Sequence, residues 1–532
     1  MSDKQFYLKG NIQVEPLINN WYAWIHLLPP SVASFHIVER HIPILKSFIN
    51  DPVYHAIAVK DPAMRGGPFI NLDIEAVDEL NNSLTMIEEK SHDLFDFVEA
   101  VKQLDRLLIE KANGLSLEPL YKMIPAPLKG YVELYYDRHH RPDFRFYEAL
   151  LYKSRFYKEE FQNIALSVIE SDTDRPFIFS TPRIDKENVL RLSIPFKSVG
   201  LDDLFEMKRK PRPISEIAEI LSINEDQLEV FESFFTEDKP KTYESYTGEG
   251  VRLRYFGHAC MLLETQNISI LIDPVLSYTF ETDVPRYTYE DLPDKIDFVL
   301  ITHGHHDHIL METMLQLRHK VDQIIVGKNI DGALQDPSLK MLLKELGFRN
   351  VYELTELEQL KIADDITITG VPFIGEHHDL HVGSKIAYHL KFPTISILSV
   401  ADACNISPEL YEKIEHIVGQ TDILLLGMEC DGAPISWVYG PLITKPLTRD
   451  EDHSRRGRGS NFVEGINMVN RFGCKQVYVY AMGAEPWVQY ILDVHYTEES
   501  RPIVQSNMLI DTCMQLGIQA ERLFLEKELL LD

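Results

Sequence analysis

At 532 residues the chain is too long for one ordinary hydrophobic core, so we expect at least two domains. Its composition, 45% hydrophobic and 25% charged, is typical of a globular protein that folds in water. The 82 acidic residues against 53 lysines and arginines give a net charge of -29, which argues against nucleic acid or an anionic membrane as the main partner.

The amino terminus and the cysteines indicate the compartment. The first residues, MSDKQFYLKG, lack the apolar core of a signal peptide, and no apolar run approaches the roughly 20 residues that span a bilayer. The five cysteines are scattered without any CxxC pair, as in proteins whose thiols stay reduced. The sequence therefore predicts a cytoplasmic protein.

Residues 236–250, TEDKPKTYESYTGEG, form a polar seam between two parts of the sequence. The seam is charged and has glycines at its end, which is typical of a linker. We therefore predict a mixed α/β amino-terminal domain over 1–245, which serves substrate access or dimerisation, and a second domain over 246–532. Within the first, 214–235 has helical periodicity on both sides of a Ser-Ile-Asn break. Its acidic residues argue against the DNA binding of a helix-turn-helix, which this pattern could otherwise suggest.

After the seam, short apolar runs alternate with helical patterns. Strands are predicted in VRLRYFGHACMLLET, ISILIDP, DFVLITH, DQIIVG, ITITGVPF, ISILSVADA, DILLLGM and QVYVYAMG. Helices are predicted in METMLQLRHKV and SLKMLLKELGF. Strands that first pair and then alternate with helices favour an αββα sandwich, in which two sheets lie face to face with helices outside.

A cluster of histidines follows one of these strands directly. ITHGHHDHIL presents His303, His305, Asp307 and His308 as an HxHxDH pattern on the loop at the strand's carboxyl edge. The first two histidines can share one metal ion, and Asp307 with His308 can begin a second site about 3.5–4 Å away, the usual dinuclear spacing. A solvated polar turn is the alternative. His306 is expected beside the site or facing solvent.

The run from FGHACMLLE through ILIDP to ITHGHHDH resembles the metallo-β-lactamase superfamily, which implies a metallo-β-lactamase-like fold for residues 251–532. That superfamily adds a histidine in a later loop, then a bridging aspartate or cysteine, and a last histidine after a late strand. In this sequence Glu376 stands where the superfamily has the histidine of the later loop, and His377 and His378 are alternative candidates for that ligand. Asp402 fits the bridging place, with a turn or helix N-cap role as its alternative. No histidine follows the late strand QVYVY.

The ligand set implied in this way contains three imidazoles and three carboxylates. Carboxylates suit hard, higher-valent ions, so the set favours two irons (Fe2+/Fe3+) that use O2, although manganese or zinc would also bind. We expect Asp402 to bridge the metals and Glu376 to move with their oxidation state, which makes both catalytic. Asp273 is expected either to orient a ligand histidine or to support its strand end.

VEPLINNWYAWIHLLPPS and AVKDPAMRGGPFI, with the two-domain layout, resemble the diiron β-hydroxylases of the chloramphenicol pathway. The resemblance implies a non-haem diiron monooxygenase that uses O2 and an external electron donor. Its substrate would be an amino acid held as a thioester on a peptidyl carrier protein, in nonribosomal peptide or antibiotic biosynthesis. A homodimer is compatible with this interpretation. The alternative is a dizinc hydrolase of a thioester, ester or amide.

Two basic segments stand out against the acidic background. A carrier protein is acidic as well, so a local basic surface is needed to guide docking. Solvated charged loops are the alternative for both segments, which are Lys208-Arg209-Lys210 with Arg212, and Arg455-Arg456 with Arg458.

Overall fold

The computed structural model describes residues 4–64, 66–173 and 175–531. The strands of its amino-terminal part are β1 (Tyr7–Leu8), β2 (Ile12–Ile18), β3 (Trp21–Tyr22), β4 (Val132–Tyr136), β5 (Pro142–Phe146), β6 (Gln162–Val168), β7 (Leu190–Leu192) and β8 (Phe235–Thr236). The α-helices are α1 (Pro30–His36), α2 (Ile42–Asn50), α3 (Pro52–Ala58), α4 (Val77–Lys90), α5 (His92–Lys111), α6 (Glu148–Leu151), α7 (Val199–Glu206), α8 (Ile214–Ile220) and α9 (Leu228–Ser233).

The carboxyl-terminal part begins after the polar seam. Its strands are β9 (Val251–Tyr255), β10 (Met261–Glu264), β11 (Ser269–Ile272), β12 (Ile296–Ile301), β13 (Val321–Gly327), β14 (Val351–Leu354), β15 (Gln359–Ala363), β16 (Ile366–Val371), β17 (Ala387–Lys391), β18 (Ser396–Ser399), β19 (Ile423–Gly427), β20 (Gln476–Tyr480), β21 (Gln519–Arg522) and β22 (Lys527–Leu531). Its helices are α10 (Met311–Leu317), α11 (Leu339–Glu345), α12 (Pro408–Val418), α13 (Ile435–Val438), α14 (Arg449–Ser454), α15 (Phe462–Phe472), α16 (Gln489–Leu492) and α17 (Arg501–Gln515). Each predicted strand run contains a strand, but VRLRYFGHACMLLET, predicted as one strand, forms the antiparallel pair β9 and β10. The two predicted helices are α10 and α11.

Two sheets lie face to face in this part, in the orders β14-β13-β12-β11-β10-β9-β22 and β15-β16-β17-β18-β19-β20-β21. The apolar core between them includes Leu300, Tyr388 and Leu425. Helices α10 and α11 pack on the outer face of the first sheet, and α12, α15 and α17 on that of the second. Because β12 and β19 are buried on both faces, their sequences are nearly continuous apolar runs. The predicted αββα sandwich is confirmed.

The topology brings several loops to one edge of the sandwich. β12 is parallel to β11 and β13, and β18 is parallel to β19. The loops after β11, β12, β16 and β18 meet there, since their polar side chains lie within contact distance of one another. The carboxyl ends of parallel strands are where such folds place their ligands.

The amino-terminal part is mixed α/β, as predicted. Its antiparallel sheet has the order β3-β2-β6-β7, and a second apolar core forms around α5 and the β4–β5 pair. The predicted break within 214–235 is present, because Ser222 has a left-handed φ of 56° and Asn224 caps the following turn. Among the described residues, no helix is both long and apolar enough to cross a membrane.

The two parts share a core and are not joined by the linker alone. Trp24 and Ile25 belong to the same apolar cluster as Ile309 and Met314, which follow the histidine loop. A Cβ at Gly304, within that loop, would approach Ile25 Cδ1 to 2.7 Å. The polar seam therefore marks a change of sequence character without separating the packing, and the boundary at 245/246 stays a prediction.

Candidate metal centre

The histidine loop starts where β12 ends and closes before α10 begins. The backbone N–H of His308 donates to His305 O at 3.1 Å, so the loop makes a tight turn. His303 and His308 are completely buried, and His305 and Asp307 are buried as well. This turn places side chains that are adjacent in sequence on one concave surface.

The predicted ligands come together in three overlapping groups, in each of which one ligand atom per residue lies within 4.8 Å of the others. The groups are His303 with His305 and Glu376, His303 with His308 and Asp402, and His258 with Asp307 and His308. Asp402 is grouped with one histidine from each of the other two clusters. That position suits a ligand shared by two metal ions.

Glu376 reaches the site from the loop after β16. It has a left-handed φ of 66° and follows Gly375, where a Cβ would approach Cys404 Sγ to 2.8 Å. Its Oε1 lies 2.7 Å from His305 Nδ1, and its Oε2 lies 3.9 Å from His303 Nε2. Gly375 therefore lets this backbone turn sharply and aim the carboxylate at both histidines.

The alternative candidates to Glu376 have other contacts. His377 stacks on His305, with ring centroids 4.5 Å apart. His378 lies with Nδ1 2.9 Å from Arg455 O. Among the described residues, neither belongs to a group with metal-ligand spacing. The geometry favours Glu376 as the ligand.

Asp402 follows β18 on a turn in which Ala401 has a left-handed φ of 47°. Its Oδ2 lies 3.1 Å from His308 Nε2. The next helix, α12, has Ser407 at its N-cap position, so the alternative of a helix N-cap at Asp402 is wrong. Burial raises the pKa of Asp402, an effect that His308 opposes.

Asp273 holds both the strand end and His308. Its Oδ1 accepts from the Thr302 backbone N–H at 2.8 Å, and its Oδ2 lies 2.8 Å from His308 Nδ1. Because Nδ1 is engaged in this way, Nε2 of His308 is the nitrogen that faces Asp402 and Asp307. The two roles that the sequence left open for Asp273 therefore coexist.

Sequence reasoning missed His258, which lies in the turn between β9 and β10. Its Nε2 lies 2.9 Å from Asp307 Oδ2, its Nδ1 is buried without a hydrogen-bond partner, and its φ is 50°. Its carbonyl accepts from the backbone N–H of Ala481, beyond the late strand that carries no histidine. The signal available was the histidine within FGHACMLLE, which contributed to the resemblance alone.

The cluster leaves buried polar atoms unsatisfied. No hydrogen-bond partner is found in the described residues for His303 Nε2, His305 Nε2 or Asp402 Oδ1. Such atoms are costly unless they bind something. Three carboxylates and several imidazoles with free ligand atoms fit two hard or borderline metal cations.

A cavity of about 230 Å³ leads to this cluster. Its wall includes Phe179 from the amino-terminal part, and Trp437, Glu429 and Arg456 from the carboxyl-terminal part. His306 also lines this cavity: its Nε2 is 2.8 Å from Ile491 O and its ring contacts Phe179. His306 is therefore buried beside the site and does not face solvent.

The two basic segments lie in different surroundings. Lys208 is 4% exposed, Arg209 donates to the Glu290 and Leu292 carbonyls, and Arg212 pairs with Asp203. These contacts favour a structural role for the first segment, in which Lys210 is the well-exposed residue.

The second segment borders the cavity. The Arg455 guanidinium donates to His378 O, and the Arg456 guanidinium donates to Gly432 O. Arg458 forms two hydrogen bonds to Glu464. A Cβ at Gly457 would come within 3.0 Å of Glu376 Oε1, so this glycine allows the loop to pack against the site.

The chain is similar to known proteins over its whole length. Residues 7–240 match the family described as the diiron non-heme beta-hydroxylase N-terminal domain, and residues 252–431 match the beta-lactamase superfamily domain. The 4-amino-L-phenylalanyl-[CmlP-peptidyl-carrier-protein] 3-hydroxylase of Streptomyces venezuelae is 36% identical over 99% of both chains. The UPF0173 protein of Pyrococcus abyssi is 43% identical over 177 residues, which are 33% of this chain and 69% of its own.

A solved structure agrees with these matches. The crystal structure of CmlA, a diiron beta-hydroxylase from Streptomyces venezuelae, superimposes with a TM-score of 0.93, at 36% identity and with both chains fully covered. The similarity therefore includes the amino-terminal part as well as the sandwich. This chain belongs to the family of diiron non-haem β-hydroxylases.

Proposed function

We propose that the chain uses O2 to hydroxylate the β-carbon of an amino acid held as a thioester on a peptidyl carrier protein. The observation that carries the proposal is the carboxylate-rich cluster, with its unsatisfied buried ligand atoms, at the end of a cavity. The full-length relationship to a hydroxylase of a carrier-bound amino acid supports the substrate class. Antibiotic biosynthesis in the cytoplasm is the setting that we infer.

The residues that would hold the metal ions follow from the groups described above. His303, His305 and Glu376 would hold one iron, and Asp307 with His308 the other, with Asp402 shared between them. The two irons, when bound, would supply the activation of O2. Reducing equivalents would come from an external electron donor, and a homodimer is part of the proposal.

The chain's own groups prepare the site for this chemistry. Asp273 fixes the ring of His308, and Asp307 is held by His258. Such partners keep ligands at a fixed angle and raise metal affinity. Phe179 and Trp437 narrow the cavity, and their apolar rings limit water beside the reacting carbon.

The cavity also suits a substrate presented on a carrier protein. Asp431 on its wall is 53% exposed, so the cavity reaches the surface, whereas Glu376 at its inner end is buried. An amino acid on a flexible thioester arm can enter such a cavity while the carrier stays outside. The amino-terminal part supplies Phe179, which gives it a role in substrate access.

Metal analysis and turnover together test the proposal. Chains purified from cells grown without added metal should contain two irons each by mass spectrometry. With a reductant and O2, a panel of aminoacyl carrier proteins should yield a product that has gained one oxygen atom while still on the carrier. Two zinc ions per chain, with release of the free amino acid, would instead indicate the hydrolase.

A further inference from the structure

Glu429 is a carboxylate in the cavity that neither the metal groups nor an ion pair uses. It follows β19, the strand next to the one that carries Asp402, and it lines the same cavity. Among the described residues, it belongs to no group with metal-ligand spacing and forms no salt bridge. The signal in the sequence was an acidic residue just after an apolar parallel strand, as for Asp402.

The charges nearby do not neutralise Glu429. Arg456 is a cation of the wall that acts on Glu429, but it donates to Gly432 O at 2.6 Å and lies 4.0 Å from Asp431. Burial, with Asp402 and Asp431 nearby, raises the pKa of Glu429 to about 8. An ammonium group bound beside it would favour the ionised carboxylate, because an opposite charge lowers the pKa of a carboxyl group. A Cβ at Gly432 would lie 2.7 Å from Glu429 Oε2, so glycine leaves room beside this carboxylate.

The proposed substrate has a group that needs such a partner. In an aminoacyl thioester the α-carboxyl group is consumed, so the charge left near the reacting carbon is the α-ammonium. That nitrogen is attached to Cα, the immediate neighbour of the β-carbon. When the β-carbon approaches the metal ions, the ammonium is brought close to cations that repel it.

We propose that Glu429 binds the α-ammonium group of the carrier-bound amino acid and thereby orients its β-carbon toward the metal cluster. This inference rests on the proposed function and adds the group that selects a free amine. Asp431, which is more exposed and lies beside Arg456, is the poorer candidate. An N-acylated residue, as in a growing peptide, has no charge for Glu429 and is selected against.

Binding can be measured without turnover. A carrier protein is loaded with the amino acid through a stable amide in place of the thioester, with the amine either free or acetylated. Calorimetry under anaerobic conditions then gives both dissociation constants for the iron-loaded enzyme. The wild type should prefer the free amine by roughly 10- to 100-fold, as expected for a buried charged hydrogen bond.

The variant Glu429→Gln keeps the shape and removes the charge. It should lose most of that preference by weakening the free-amine complex, while its iron content and melting temperature stay at wild-type values. Glu498→Gln, an exposed change in the loop before α17, is the matched control and should keep the preference.

Three results would overturn the assignment. They are equal binding of both carriers by the wild type, an unchanged preference in Glu429→Gln, and a loss of iron in that variant, which would make Glu429 a metal ligand. Failure of the proposed function looks different: the wild type would release the amino acid from a thioester carrier or leave it unmodified.

Discussion

Two clusters of buried carboxylates among the described residues differ in their cations: one contains arginines and the other does not. The interface cluster lies between the two parts of the chain. In it, Arg175 forms ion pairs with Glu15 at 2.8 Å and with Glu312 at 2.5 Å, and Arg183 forms a further ion pair with Glu15. Burial by itself would raise the pKa of Glu15, but these arginines outweigh it and lower that pKa to about 2. The charges of this interface cluster are neutralised within the protein.

The metal cluster is built in the opposite way. Among the described residues, Asp307, Glu376 and Asp402 form ion pairs with histidines and with no lysine or arginine. Asp402 Oδ1 and several of the histidine nitrogens have no hydrogen-bond partner there. A buried carboxylate needs a cation to stay ionised, and otherwise it becomes protonated. The comparison teaches that a buried acidic cluster without arginine is where an external cation belongs.

The largest expected effect comes from removing Glu376, a carboxylate ligand of the metal ions. Glu376→Ala should abolish hydroxylation and lower iron content, because His303 and His305 would lose their shared carboxylate, while circular dichroism shows an intact fold. His381→Ala, an exposed change in the same loop, is the matched control and should retain iron. Hydroxylation that survives in Glu376→Ala would make His377 or His378 the ligand.

Replacement of the same residue by histidine tests the choice of metal. Glu376→His would restore the ligand pattern of the hydrolases, so the variant should take up more zinc relative to iron than the wild type does. Competition between the two metals, followed by mass spectrometry, measures this ratio. An unchanged ratio would mean that this carboxylate does not select the metal.

In the interface cluster, the expected loss is one of stability. Arg175→Met would leave Glu15 and Glu312 less neutralised, which should lower the free energy of unfolding by about 3–5 kcal/mol in urea titrations. Arg106→Met, which breaks an exposed pair with Glu99, should change it little. Equal effects of the two substitutions would contradict the structural role given to the interface cluster.

A smaller effect is expected from replacing Asp273, which orients the ligand His308. Asp273→Asn should weaken the hold on His308 and reduce iron affinity by about 10- to 100-fold. Chelator competition measures this, and melting curves of the metal-free protein separate it from a loss of stability. Unaltered affinity would mean that Asp273 supports the strand end alone.

The smallest effect concerns docking of the carrier protein. Reversing the charges of Arg455 and Arg456 should weaken carrier binding, most clearly at low salt where screening is weak. Lys210→Glu, in the other basic segment and 72% exposed, should leave binding unchanged. If binding is indifferent to the arginines at every ionic strength, the carrier docks elsewhere.

The sequence by itself determined the features that depend on neighbouring residues. Buried apolar runs specified strands such as β12 and β19, and the HxHxDH pattern placed four candidate ligands on one loop. Its resemblance to known families added Glu376 and Asp402, which spacing alone could not. These features are local, or carried by a motif, so they can be recognised before the chain is folded.

Tertiary structure decided the rest, because burial and pairing depend on residues far apart in the chain. His258 meets Asp307 across 49 positions, and Glu429 joins the cavity only because β19 lies beside β18. The two basic segments looked alike in sequence, yet packing buries Lys208 and leaves Arg456 partly exposed at the cavity. A charged side chain has no fixed role until the surrounding surfaces determine whether water, an ion pair or a ligand neutralises it.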